Sequence, residues 1–390
     1  MKLVPLSYPL RSLFVRRGPT LFSAFGIGLS VAVLGGVMAL REGFSATLAE
    51  NGREDVAVYL RPGATSEGES VVRYPGDSSV LKTRPEVALD AAGVPLAAVE
   101  SFVGVTLGKL DGSGTTIVTV RGIEAASLAI HGSRLRIVEG RVLALNGNEL
   151  IVGAPLSRRM KGCQVGGTVT LNVTPFTVVG IFEHEGGYES EIWGDVESIT
   201  SATKRPFRQR VIAQMKPGTD PAAVAAAVKD DKRLPVEMKT ERAYFRSQTT
   251  ANSGMLMVLA TILTTLMGTA AVLGAVNTML ASLGARTREV GILMSIGYRG
   301  FPIFLSFLLE AACIGALGGA LGCLLVIPLN GLETSTTNWN TFTEAAFAFR
   351  VTPALLARSV FLAVILGLLG GAVPAWRASR MLPPEALRRL

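Results

Sequence analysis

Four long apolar runs constrain this chain more than any other feature of its sequence. About 20 uninterrupted apolar residues are enough for a helix to cross a bilayer, and helices rich in Gly and Ala pack closely there. The runs cover residues 21–40, 254–280, 301–329 and roughly 354–376, and only Glu310 and Arg358 place a charge within them. The sequence therefore predicts an integral membrane protein with four transmembrane helices.

The charges are distributed as expected for such a protein. Residues 42–252 contain 24 Lys and Arg against 25 Asp and Glu, whereas the rest of the chain contains 14 against 5. Basic residues beside apolar runs mark the cytoplasmic side of a membrane. A near-neutral segment offers no basic groove for a nucleic acid. We expect a lipid bilayer as a partner and no nucleic acid.

The basic flanks define one topology, with both termini and residues 282–300 in the cytoplasm and the long segment 42–252 outside. A cleaved signal peptide is the alternative for the N-terminus. The first apolar run is about twice as long as the apolar region of a signal peptide, and no clear cleavage site follows it, so a membrane span is favoured. A bacterial inner-membrane location with a large periplasmic domain follows from this topology.

The predicted fold class is an α+β membrane protein with four transmembrane helices and a large mixed α/β extracytoplasmic domain inserted between helices 1 and 2. The predicted order is a cytoplasmic interfacial amphipathic helix at 1–19, transmembrane helix 1 at 20–41, the extracytoplasmic domain with a stalk at 42–252, transmembrane helix 2 at 253–281, a cytoplasmic segment at 282–300, transmembrane helix 3 at 301–329, a short external loop at 330–352, transmembrane helix 4 at 353–376 and a cytoplasmic tail at 377–390.

The extracytoplasmic domain is predicted to mix strands and helices. Alternating or β-branched segments predict strands at 55–60, 117–120, 150–152, 168–173, 176–182 and 235–239. Thr174-Pro175 predicts a hairpin turn, and residues 62–79, rich in Gly, Pro and Ser, predict a flexible loop. Asp-Pro before an Ala/Val run predicts a capped helix at 220–229. Residues 241–250 lead into the second span without Gly or Pro, which predicts one continuous helix.

Motifs for catalysis or nucleotide binding are absent from the sequence. It contains no Walker A, GxSxG or HExxH pattern, so we expect no enzymatic activity, cofactor or metal in this chain. His184 lies in an acidic patch, where a cation site and a solvated loop are the alternatives. The spacing matches no calcium loop and favours the solvated loop. The acidic residues are Glu183, Glu185, Glu189, Glu191, Asp195 and Glu197.

Two polar residues within the predicted spans are candidate functional residues, Asn277 and Glu310. Glu310 lies about 14 Å along its helix from the start of the third run, at 1.5 Å per residue. An ionisable side chain at such a depth indicates a functional group by default. Two interpretations stay open for Glu310, a packing contact with a neighbouring helix and a role in coupling.

A short charged segment, residues 284–293, connects the second run to the third. It is too short to be a domain, and it combines charges with an apolar pair. Such a segment suits contact with a cytoplasmic partner, although its arginines alone also serve to fix the topology.

The chain resembles the FtsX-like permease family of ABC transporters, whose signature reads approximately N-x-M…R-T-R-E-I-G-I-L-R-A-L-G. The similar residues are Asn277 to Leu280, Arg286 to Leu293, Ile296 with Gly297, and, at the end of the chain, Gly370 to Arg380 and Pro383 to Arg388. Residues 135–141, 149–153, 165–169 and 176–182 resemble the MacB-type periplasmic core. Met294-Ser295 and Tyr298 depart from the signature and leave the identity of a partner open.

The resemblance implies a mechanotransmission machine. It implies a cytoplasmic ABC ATPase subunit that holds ATP and Mg, a second permease copy or paralogue, and a β-rich insertion at about 110–205 in the periplasmic core. The ATPase-coupling residues would be Arg286, Thr287, Arg288, Glu289, Gly291, Ile292 and Leu293.

Three functions are compatible with this resemblance. The first is the permease subunit of a transporter that exports or extracts a lipoprotein, peptide, lipid or antibiotic, with a periplasmic adaptor as a further partner. The second is a signalling subunit that regulates cell-wall enzymes without transport, and the third is a receptor without an ATPase. The outer segment of about 210 residues favours the first, because members that act in cell division usually have a smaller one.

Overall fold

The computed structural model describes residue 15 and residues 17–46, 52–338 and 343–381. These residues form two compact units. The helical unit takes its residues from 1–43, 255–332 and 348–390, and the sheet domain takes its residues from 44–254 and 333–347. Most of the interfacial helix predicted at 1–19 and most of the tail predicted at 377–390 lie outside the described residues.

Four helices have the length and composition of membrane spans. The described helices are α1 (Arg17–Ser45), α2 (Gly76–Lys82), α3 (Ala125–His131), α4 (Ala154–Ser157), α5 (Val196–Thr203), α6 (Pro221–Asp230), α7 (Glu241–Ala285), α8 (Thr287–Ser295), α9 (Gly300–Val326) and α10 (Pro353–Ser379). Within the described residues, the apolar spans are Thr20–Ser45, Met257–Ala285, Gly300–Leu329 and Pro353–Ser379. The predicted set of four transmembrane helices is confirmed.

Small residues bring α9 and α10 together. A Cβ atom added to Gly315 of α9 would lie 2.5 Å from the carbonyl oxygen of Ala363, and one added to Gly367 of α10 would lie 2.5 Å from that of Ala311. Helix backbones approach this closely in membranes only where side chains are very small. The pair α9–α10 is therefore held by backbone-to-backbone contact.

We expect Gly367→Ala to weaken the α9–α10 contact, because the added methyl group has no space between the two backbones. Overpacking of this kind costs about 1–3 kcal/mol. Thermal unfolding of the purified protein in detergent should show a lower midpoint. Gly26→Ala is the matched control, because a Cβ atom at Gly26 of α1 meets no atom within 4 Å. Equal midpoints for the two variants would contradict the close approach.

The sheet domain is built on one mixed sheet. Its described strands are β1 (Val56–Leu60), β2 (Ala97–Gly108), β3 (Thr115–Ile123), β4 (Leu135–Gly140), β5 (Glu149–Gly153), β6 (Thr168–Leu171), β7 (Thr174–His184), β8 (Glu191–Asp195), β9 (Arg210–Gln214) and β10 (Glu237–Thr240). Among the described residues these ten strands have the order β10-β1-β9-β2-β3-β8-β5-β7-β4, and β6 pairs with β7. The predicted mixed α/β domain between transmembrane helices 1 and 2, which are α1 and α7, is confirmed.

The long strand β2 belongs to both halves of this sheet. Its first residues, from Ala97 to Glu100, pair with β9, and its later residues, from Ser101 to Gly108, pair with β3. One hydrophobic core lies in each half. The core beside β1 and β9 includes Tyr59, Leu81, Val211, Val228 and Met238. The core beside β3 includes Val120, Leu150, Phe176, Ile192 and Ile199.

Most of the predicted strands and the predicted helix of this domain are present. Strands β1, β3 and β5 contain the segments predicted at 55–60, 117–120 and 150–152, apart from Asp55, which directly precedes β1. Helix α6 begins with Pro221, and the side chain of Asp220 accepts a hydrogen bond from the backbone N–H of Ala222. Strands β3 to β8 fall within 110–205, and the limits of that insertion stay a prediction.

The structure corrects three local predictions. The hairpin turn lies at Asn172 and Val173, not at Thr174-Pro175, because Asn172 takes the left-handed conformation at φ 58° and Pro175 pairs with Thr170 inside the hairpin. The segment predicted as a flexible loop at 62–79 contains a 3-10 turn and the start of α2. The segment predicted as an external loop at 330–352 contains two paired strands, β11 (Glu333–Asn338) and β12 (Thr343–Ala348).

Candidate coupling site between α7 and α9

Helix α8 is a short helix that lies between two candidate membrane spans. Helix α7 ends at Ala285, and Arg286 is the only residue between it and α8. After α8 the chain reverses at Gly297, whose φ of 100° is in the region that favours glycine. The backbone N–H of Tyr298 then donates to the carbonyl of Leu293 at 3.1 Å. The predicted charged segment is thus an ordered helix between two tight connections.

One face of α8 packs against the other helices of its unit. Thr287, Val290 and Gly291 are buried, and the hydroxyl of Thr287 donates back to the carbonyl of Gly284 at 2.9 Å. Val290 belongs to a hydrophobic cluster that also contains residues of α7, α9 and α10, namely Met279, Leu283, Ile303, Phe307, Ala311, Ala375 and Ala378. The buried face therefore holds α8 in a fixed position.

The other face of α8 is exposed and carries both charge and apolar surface. Arg288, Glu289 and Ile292 are exposed, and Leu293 is half-buried. Ile296, directly after the helix, has 69% of its surface exposed. A cation, an anion and apolar side chains on one short helix match the composition of a protein contact better than that of a lipid contact.

Arg286 does not lie on this exposed face. The sequence-based prediction groups Arg286 with Arg288 and Glu289 among the residues that would contact a partner. The side chain of Arg286 is, however, only 4% exposed. Its Nη1 donates to Oε2 of Glu310 at 2.9 Å, and its Nε donates to Oε2 of Glu289 at 3.3 Å. The structure therefore divides the predicted set, with Arg286, Thr287 and Gly291 inside and Arg288, Glu289 and Ile292 outside.

The two intramembrane candidates are not brought together. Glu310 is 6% exposed on α9, and Arg286 is its ion-pair partner. Asn277 is exposed on α7, whereas Ala275 and Met279 on either side of it are buried. Asn277 thus lies on a different face of α7 from the one that packs inward.

A buried charged cluster in the sheet domain was not found from the sequence. It consists of Glu67, Glu100, Arg121, Glu191 and Arg210. Arg121 joins Glu67 and Glu191, each at 2.6 Å, and Arg210 joins Glu67 at 2.8 Å and Glu100 at 2.5 Å. Burial alone would raise the pKa of Glu67, but the two arginines hold that pKa below its ordinary value. The sequence signal for this cluster was a lone charge inside a strand-forming run, as with Glu100 in β2 and Arg121 in β3.

The first residue of α7 is attached to this cluster through a tyrosine. Tyr188 donates to Oε1 of Glu241 at 2.8 Å and accepts from Nη2 of Arg210 at 3.2 Å. The other oxygen of Glu241 accepts from the backbone N–H of Arg53 at 2.9 Å. Helix α7 therefore begins at a residue that the sheet domain holds from two sides.

The two histidines lie next to this tyrosine. His131 Nδ1 and His184 Nε2 are 3.1 Å apart, and both rings contact Tyr188. Burial lowers the pKa of His131 well below its ordinary value and lowers that of His184 to about 3. The prediction of a solvated loop here was wrong, because His184 is buried at the end of β7 and Glu191 begins the buried strand β8. Among the described residues, no group of three or more metal-ligating side chains is present.

Comparison with known protein families explains this combination of a helical unit and a sheet domain. The family model of the MacB-like periplasmic core domain matches residues 20–231, and that of the FtsX-like permease C-terminal domain matches residues 257–383. The chain belongs to the FtsX-like permeases with a MacB-like periplasmic core domain. The resemblance found in the sequence is confirmed.

Several curated relatives of this permease are named macrolide export ATP-binding/permease proteins. The macrolide export ATP-binding/permease protein MacB of Agrobacterium fabrum is 24% identical over 94% of this chain and 55% of its own length. The MacB protein of Hahella chejuensis is 29% identical over 58% of this chain and 35% of its own length. The chain thus spans about half the length, or less, of the curated relatives it matches.

Two solved structures are similar to part of this chain. The periplasmic region of MacB from Actinobacillus actinomycetemcomitans covers 52% of this chain and 95% of its own, at 12% identity and a TM-score of 0.38. The extracellular domain of the ABC-type transporter YknZ from Gram-positive bacteria covers 47% of this chain and 99% of its own, at 14% identity and a TM-score of 0.35.

Proposed function

We propose that this permease couples ATP hydrolysis by a separate cytoplasmic ATPase subunit to movement of its periplasmic domain. The observation that carries the proposal is α8, a short helix with one face buried in the helical unit and the other exposed. Arg288, Glu289 and Ile292 form the docking face for the ATPase subunit. ATP and Mg bind to that subunit, and this chain supplies the membrane and periplasmic parts.

The long helix α7 supports this role. It runs without interruption from Glu241 to Ala285, and its first residue is held by Tyr188 and Arg53. Its 45 residues correspond to about 68 Å at 1.5 Å per residue. A stiff helix that contains a candidate membrane span and begins in the sheet domain is suited to carry movement along its axis.

The cargo is proposed to be a molecule taken from the periplasm or the outer leaflet of the inner membrane. The names of the relatives state macrolide export, and we propose export or extraction of an antibiotic, lipid, peptide or lipoprotein. The complex contains a second permease, identical or paralogous, and both termini of this chain lie in the cytoplasm. A periplasmic adaptor is proposed as a further partner.

Purification from native membranes tests the proposed function. We expect the tagged permease, solubilised in a mild detergent, to recover an ATP-binding subunit in a fixed ratio and to raise its ATP hydrolysis. Mass spectrometry of the purified material identifies the subunit, and a hydrolysis assay with and without the permease measures the stimulation. Recovery of the permease without any ATP-binding subunit would contradict the proposal.

A further inference from the structure

Arg286 lies between two carboxylates, one exposed on α8 and one buried on α9. We propose that the ion pair of Arg286 with Glu310 is the positioning element that connects the docking face to the helical unit, so that movement of α8 is passed to α9. This inference rests on the proposed function of α8. It assigns a role to two residues that make no contact with a partner themselves.

The position of Arg286 in the chain is the first support. It caps α8 at the point where α7 ends, with φ −113° and ψ 10°, outside the helical region. Its guanidinium carbon lies 5.3 Å from the ring centroid of Phe307 on α9. One side chain at the connection between α7 and α8 therefore contacts two residues of α9, Phe307 and Glu310.

The unequal exposure of the two carboxylates is the second support. The side chain of Glu310 is 8% exposed and that of Glu289 is 58% exposed. Breaking a buried ion pair leaves an uncompensated charge and is strongly unfavourable, whereas an exposed pair contributes little. A cation of the ATPase subunit can therefore draw Glu289 away from Arg286 at little cost, while the Arg286–Glu310 pair persists.

The directionality of the pair is the third support. The hydrophobic cluster that contains Val290, Ile303 and Phe307 holds α8 in place, but it tolerates small rotations because hydrophobic contact is non-directional. A charge-assisted hydrogen bond of 2.9 Å is directional. The pair therefore sets the rotation of α8 and makes its movement follow that of α9.

Three variants of the purified complex test this inference. Glu310→Gln removes the carboxylate charge and leaves Arg286 charged, and Glu310→Asp keeps the carboxylate on a shorter side chain. In the double variant Arg286→Met/Glu310→Met, apolar side chains that fill the site replace both charges. The double variant matters because replacing a buried pair by apolar residues commonly preserves folding. The affinity for the ATPase subunit and the stimulated hydrolysis rate at saturating subunit are measured separately.

We expect binding to stay within about threefold of wild type in all three variants, because the docking face is intact. We expect stimulated hydrolysis at saturation to fall by about tenfold or more in Glu310→Gln and in the double Met variant, and by less in Glu310→Asp. Wild-type stimulation in the double Met variant would overturn the inference and leave the pair with a structural role alone. A loss of binding that matches the loss of stimulation would also overturn it. If the wild-type permease neither binds nor stimulates an ATPase subunit, the proposed function itself fails.

Discussion

The double substitution Arg288→Ala/Glu289→Ala is expected to remove the ATPase subunit from the purified complex. Both side chains are exposed on α8, and the hydrogen bond that Glu289 accepts from Arg286 is longer than the one that Glu310 accepts. Close charge pairs across an interface contribute roughly 1.5–7 kcal/mol each. Loss of two such contacts weakens binding by about a hundredfold or more.

The measurement is the amount of ATPase subunit recovered with the permease, followed by a binding titration in detergent or nanodiscs. Arg358→Ala is the control, since Arg358 is an exposed arginine near the start of α10, far along that helix from the residues that pack with α8. It should keep wild-type recovery. Unchanged recovery in the double variant would show that α8 is not the docking helix.

Acidification is expected to destabilise the sheet domain through its two histidines. Both are buried as neutral rings, and the pKa of each is lowered, that of His184 to about 3. In the unfolded chain a histidine has a pKa of about 6.5. Between these values the unfolded state binds more protons than the folded state, so the stability falls as the pH falls below about 6.5. For His184 the loss of stability is about 2 kcal/mol between pH 7.5 and pH 5, and His131 contributes a loss in the same direction.

Denaturant unfolding at a series of pH values checks this expectation. Trp193 packs against His131 with ring centroids 4.8 Å apart, so its fluorescence follows the region in a variant with Trp339 and Trp376 replaced by Phe. The double variant His131→Gln/His184→Gln should lose most of the dependence above pH 5, where the carboxylates with lowered pKa values contribute little. A free energy of unfolding that is equal at pH 7.5 and pH 5 in the parent protein would contradict the role of the histidines.

Local sequence patterns were sufficient to predict the elements that are determined by residues close together in the chain. The four spans follow from uninterrupted apolar length, and α6 follows from Asp220 and Pro221 at its start. The division of the charged segment into a buried face and an exposed face could not be predicted from such local patterns. Arg286 and Arg288 are alike in sequence, and only the packing of α8 against α9 decides that Arg286 is buried.

The buried charged cluster shows the same limit on a larger scale. Its members come from positions as far apart as Glu67 and Arg210, so no local window contains a pair. A lone arginine within the strand-forming run of β3 was the available signal, because a charge in a buried strand requires a partner. The identity of that partner depends on the strand order, in which β3 neighbours β8 and β2 neighbours β9.

Strand β2 has a consequence for how the periplasmic domain responds to a load. An inserted segment that joins its host through flexible linkers can turn independently of it. In this domain one of the connections between the two halves of the sheet is strand β2 itself, which is hydrogen-bonded to β9 at one end and to β3 at the other. A displacement of one half of the sheet is therefore transmitted to the other half directly through the main chain of β2.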